Sequence, residues 1–106
     1  MIKKKFKVIL SKQDGFMLDE PLGYFTWLND LRVFIYNSSS WRRWYVIDLN
    51  TGLSFASGES MASAKLDAFN KMKQFEKYKE TDAYKAHRFM YQKLLREEKE
   101  RECKNG

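Results

Sequence analysis

Asp48, Glu59 and Lys65 are the residues of this 106-residue chain whose types come nearest to catalytic chemistry. Two carboxylates beside a lysine can hold a divalent ion and steady a phosphate, as nucleases require. Their spacing matches no such motif, and solvated turn and cap positions account for all three. His87 is the single histidine, so no two-histidine metal site can form. Flanked by Ala86 and Arg88 in a helical stretch, it reads as a surface or half-buried side chain. Cys103 is the single cysteine, which excludes an internal disulfide and a multi-cysteine zinc site. As a nucleophile it would need a base and a rigid pocket, and its charged tail offers neither. No glycine-rich phosphate loop is present. The expectation is a chain with no catalytic residues, no metal and no cofactor.

Binding residues are better represented. Twenty Lys and Arg against fourteen Asp and Glu give a net charge of +6, with a sequence pI near 9.4. Such a balance suits a polyanionic partner such as nucleic acid. Residues 1–13 hold five lysines and no acid, and residues 60–106 hold twelve basic against eight acidic residues. Between them, residues 14–59 are slightly acidic, with three arginines against six acids. The expected partner contacts are Lys3, Lys4, Lys5, Trp41, Arg42, Arg43, Lys73, Lys77 and Arg88. Arg42 and Arg43 fall at a hairpin rim, where guanidinium forks reach outward.

The elements that position these residues are organised around Trp41 to Ala68, which reads as strand, turn, strand and helix. Residues 4–10 end in a β-branched apolar run and predict a first strand, closed by a turn at Asp14-Gly15. Residues 16–31 hold the single proline, Pro21, and a cluster of Tyr24, Phe25, Trp27 and Leu28. They predict a segment packed against the sheet, with a helical turn near Thr26–Asp30. Leu31 to Tyr36 and Trp41 to Leu49 predict two strands joined through Asn37–Ser40. Asn50-Thr51-Gly52 then turns the chain into a short strand, Leu53 to Ser57. Alternation puts Leu31, Val33, Ile35, Tyr45, Ile47 and Leu49 on one face, where a helix would sit. The other face collects Arg32, Phe34, Tyr36, Arg42, Trp44, Val46 and Asp48. Such rings and arginines resemble a single-stranded RNA platform, but burial beneath residues 16–28 is the expectation for a small protein.

Ser60 is suited to cap a helix. Met61, Ala64, Ala68, Met72 and Phe75 follow at three- and four-residue steps as one apolar stripe. A break near Glu80–Asp82 predicts a second helix with the stripe Ala83, Ala86, Met90 and Leu94. The tail Arg96 to Glu102 alternates in sign and supports itself through i,i+4 pairs. A chain of this length forms one domain, mostly β-sheet over 1–59 and helical over 60–104. The fold class is α+β, an antiparallel sheet of three to four strands packed against one or two C-terminal helices. Val8-Ile9-Leu10 is too short a run for a signal peptide or a membrane span, so the cytoplasm is the expected location.

Ser60, Ala64, Lys65 and Ala68 resemble the last helix of double-stranded-RNA-binding domains. Met61 and Ala62 stand where that family carries a phosphate-gripping lysine pair, and the family's first helix has no counterpart. The wider pattern Trp44-x-Val46-x-Asp48-x-x-Thr51-Gly52, then Gly58-x-Ser60-x-x-x-Ala64, resembles small phage and mobile-element proteins. In class, a short, lysine-rich, aromatic-rich chain without a catalytic set is similar to anti-CRISPR proteins. That resemblance implies a non-enzymatic inhibitor that docks on a host nucleoprotein or nuclease, such as an RNA-guided CRISPR effector. It would block nucleic-acid binding or guide RNA assembly, with no membrane or small-molecule substrate involved. Direct RNA or DNA binding is the alternative reading.

Overall fold

Strand formers fill the first half of the chain and helix formers the second, and the structure divides accordingly. The computed structural model describes residues 2–12, 15–39 and 42–105. The strands are β1 (Lys4–Lys5), β2 (Val8–Lys12), β3 (Gly15–Asp19), β4 (Leu22–Leu28), β5 (Leu31–Ser38), β6 (Arg43–Asp48) and β7 (Ser54–Gly58). Two helices follow, α1 (Met61–Tyr78) and α2 (Asp82–Asn105). The fold is α+β. One antiparallel sheet runs β1-β4-β5-β6-β7, and β2 pairs with β3 as a separate hairpin. Asp14 and Ser40, expected in turns, lie outside the described residues.

The sheet has five strands because residues 22–28 form a strand inside it, not a segment laid over it. The expected helical turn near Thr26–Asp30 is a tight hairpin turn instead. Tyr24, Phe25 and Trp27 favour extended backbone. Asn29 takes a φ of 56°, a left-handed conformation that asparagine tolerates, and Leu28 faces Leu31 across the turn. The expected strand over 4–10 divides at Phe6–Lys7. Its first part pairs with β4, and its second part leaves the sheet to pair with β3.

The two faces also differ from the expected lists. The connection of residues 39–42 sets Ser38 opposite Arg43, so facing residues of β5 and β6 have opposite parity. Val33 and Ile35 therefore share the helix face with Val46, Leu28 and Ala56, against Ala64 and Ala68 of α1. Phe34 and Tyr36 share the other face with Ile47. That aromatic face is buried as expected, but by Phe6, Val8 and Leu10 and not by residues 16–28. The Phe6 ring lies 5.5 Å from Phe25 and 5.2 Å from Phe34, a three-ring cluster with Phe25 in the sheet itself. Gly23 permits this closeness, since a Cβ there would collide with the Ile35 carbonyl and the Phe34 ring.

Ser60 caps α1 as expected. Its hydroxyl accepts from the Ser63 N–H at 3.0 Å, and Ser63 returns the bond to the Ser60 N–H at 2.9 Å. Ala64, Ala68 and Phe75 are buried, with Met61 and Met72 packed at the margin. Phe75 stacks on Phe55 of β7 at 4.2 Å. The chain breaks after α1, and the Thr81 hydroxyl receives the Tyr84 N–H to open α2. The inward face of α2 is not the expected stripe, because Ala83 and Ala86 are exposed. Tyr84 and Tyr91 point inward instead, 5% and 4% exposed. Seven residues make two helical turns, so both rings leave the same side of α2.

Those rings meet the turn between β6 and β7, where the parts of the molecule converge. Asp48, 3% exposed, accepts from the Thr51 hydroxyl at 2.9 Å and the Tyr84 hydroxyl at 2.9 Å. The Asn50 N–H approaches its other oxygen at 3.4 Å. Gly52 has a φ of 69° and lies flat against Tyr91, where a Cβ would sit 2.6 Å from the ring. Its carbonyl accepts from the Ile9 N–H at 2.8 Å, tying β2 to the same turn. The Tyr91 hydroxyl donates to the Lys7 carbonyl, and Lys7 pairs with Glu98 at 3.0 Å.

Candidate interaction surface

The expected contact residues that the structure describes are exposed but not gathered. Lys3, Lys4 and Lys5 are exposed at the β1 edge of the sheet. Trp41 lies outside the described residues. Arg42 is exposed with a φ of 51° in the connection leading to β6. Arg43 is exposed too, its Nε donating to the Ser57 hydroxyl at 3.0 Å. The register puts Lys5 and Arg43 toward one end of the sheet, since Lys5 faces Leu22 and Ser38 faces Arg43. Three strand spacings, about 14 Å, separate their strands. Lys73 and Lys77 stand on the exposed side of α1, toward the opposite end of the sheet, where Met72 and Phe75 reach the β4–β5 turn. Arg88 is exposed on α2.

The outward side of α1 carries more than lysines. Leu66 and Phe69 are 61% and 44% exposed. Steps of four, three and four residues place Ala62, Leu66, Phe69 and Lys73 along one line, with Lys77 beside it. This is an apolar stripe on the side of the helix turned away from Ala64 and Ala68. The sequence carried the signal in the period itself: two large apolar residues recur at helical spacing off the core stripe. The cap and the seating of Ala64 and Ala68 on the sheet hold the stripe in a fixed orientation. On the flank of α1 next to β7, Lys71 pairs with Asp67 at 2.9 Å. Lys71, and then the Ser57 N–H, hold the Asp67 carboxyl below its ordinary range.

A second exposed group lies on the sheet. Trp27, 62% exposed, faces Arg32 across the β4–β5 pair. The Arg32 guanidinium lies 5.0 Å from the Phe25 ring centroid. The face is otherwise covered, in keeping with the expected burial, and here Trp27 and Arg32 stand exposed at its end.

Asp48, one of the three residues nearest to chemistry, is held by the donors described above. Glu59 is exposed and Lys65 half-buried. Among the described residues, no three His, Cys, Asp or Glu side chains gather as a metal site would require. His87 is half-buried, edge-on to Phe16 at 6.3 Å. Among the described residues no helix is long and apolar enough to cross a membrane. Compared with known proteins, the chain matches no family model, no curated protein and no solved structure. The surfaces themselves must therefore carry the functional argument.

Proposed function

We propose that this chain is a non-catalytic binding protein that docks on a nucleic-acid-handling host machine through the outward side of α1. The observation that carries this reading is the apolar stripe of Leu66 and Phe69 continued by Lys73 and Lys77. An amphipathic helix of that kind suits an apolar groove with an acidic rim. The net charge of +6 favours a partner that bears polyanion or acidic surface. An inhibitor of a nucleoprotein of the RNA-guided nuclease kind, similar in class to anti-CRISPR proteins, meets both conditions. The test is capture from the source cell with the intact chain and with Leu66→Glu/Phe69→Glu. Recovery of a nuclease that survives nucleic-acid digestion and is lost with the double variant supports the reading. Recovery that depends on nucleic acid and ignores the variant overturns it.

The Trp27–Arg32 pair favours a second reading, direct binding of single-stranded nucleic acid by stacking. Exposed rings contribute roughly 1–3 kcal/mol per stacked base. On that reading affinity for a labelled RNA falls steeply with salt, and Trp27→Ala weakens it at every salt concentration.

A further inference from the structure

A cleft of about 480 Å³ opens between the β2–β3 hairpin and the buried-ring face of the sheet. Its volume falls within the range of small-molecule sites, roughly 300–1,000 Å³. The walls are of two kinds. Ile9, Leu10, Ile47 and Leu53 are apolar, whereas Asp19, Tyr36, Tyr45 and Asn37 are polar lining residues, with Asp19 exposed at the margin. Asp19 is the one charged side chain among the lining residues. The Tyr36 and Tyr45 rings lie 5.8 Å apart. Burial, then Tyr45 and Asp19, push the Tyr36 phenol up.

We infer that this cleft binds a small organic cation, an ammonium or guanidinium group on a short alkyl stem. The head group would donate to Asp19 and the phenol oxygens, with tyrosine rings beside it. The stem would lie along Ile9, Leu10 and Leu53. An anion would meet the Asp19 charge with no cation among the lining residues to offset it. The site lies on the face opposite α1, so it stands apart from the proposed docking stripe and does not depend on it.

The probes are agmatine, as a free cation, and a blocked arginine-containing tripeptide, as a partner's side chain. Each is titrated into the isotope-labelled intact chain while amide shifts are followed. Saturable shifts at Asp19, Asn37, Ser38 and Leu53 support the site, and the probe that binds identifies the source of the cation. Asp19→Asn weakens binding about tenfold, the equivalent of one charge-assisted contact. Tyr45→Phe weakens it less, while the dispersion of the remaining amides reports an intact fold. Silence of both probes at millimolar concentration, equal binding by Asp19→Asn, or sulfate shifting the same amides more tightly overturns the assignment.

Discussion

Tyr84→Phe removes one oxygen from the molecule and tests whether the Asp48 turn holds α2 in place. The lost contact is the 2.9 Å bond from the Tyr84 hydroxyl to Asp48. Both residues are almost wholly buried, so water does not readily replace the donor. A hydrogen bond to a charged group contributes roughly 1.5–3 kcal/mol. The Thr51 hydroxyl still reaches the same carboxylate oxygen, which favours the lower part of that range. The ring itself stays, edge-on to Tyr78 at 5.4 Å and to Phe75 at 6.3 Å, so packing changes little. Against a total stability on the order of 5–15 kcal/mol for a domain of this size, the loss is readily measured. Urea unfolding followed by circular dichroism gives the free energy, and hydrogen exchange locates it. Amides of α2 should lose protection more than those of β5. A double-mutant cycle with Asp48→Asn should then show coupling beyond about 0.5 kcal/mol. Additivity within that margin, or a Tyr84→Phe chain as stable as the parent, would refute the tether.

Gly52→Ala should cost more than an ordinary surface change, because it forces a side chain into φ 69° and against the Tyr91 ring; thermal melts check this. Phe34→Ala should destabilise by roughly 3–5 kcal/mol, since it empties the centre of the ring cluster beneath Phe6; urea midpoints measure it. Alkali should unfold the chain through its tyrosines. Burial raises Tyr84 and Tyr91 to about 12, from an ordinary value of 10.0. The folded state thus holds their protons longer than the unfolded chain, so their contribution is complete below pH 10 and declines as pH rises toward 12. A pH series of urea midpoints that stays flat through that window would contradict the burial. Leu66→Glu should melt within about 0.5 kcal/mol of the parent, because the Leu66 side chain is 61% exposed. Its loss of partner capture would then report on the interface and not on folding.

What the sequence made legible was local. Ser60 before an apolar stripe gives the start of α1, and the stripe Met61, Ala64, Ala68, Met72 and Phe75 is the one that packs. Gly52 marks the turn because few other residues take its backbone angles. What escaped depends on partners distant in the chain. Residues 22–28 look like an apolar cover until β5 is set beside them, because edge and inner strands share one composition. Alternation alone puts the faces of β5 and β6 in the wrong relation, because parity turns on the exact length of the connection, here residues 39–42. On α2, the alanines suggested the inward side, but Tyr84 and Tyr91 have the reach to fill the gap to the Asp48 turn. Of the candidate site, the cations were legible and their dispersal was not, since lysines are exposed whether or not they share a surface. Leu66 and Phe69 carried a readable period, but the core stripe beside them masked it.

The two helices are held in different ways, and the difference bears on which of them the proposed docking surface favours. α1 sits with Ala64 and Ala68 fully buried on the sheet, so its backbone is close to β7 and its outward side has one orientation. α2 is held at the tips of long side chains, through Tyr84 to Asp48, Tyr91 to the Lys7 carbonyl and Glu98 to Lys7. Phe89 is as exposed on α2 as Leu66 is on α1, at 63% and 61%, so exposure alone does not separate them. A surface on a firmly seated helix binds without the added entropic cost of ordering it, whereas one on a tethered arm must be fixed on contact. The proposed docking surface therefore falls on Leu66 and Phe69 and not on Phe89. Asp48 is committed to holding the arm, and the proposed docking face lies on the helix that needs no such hold.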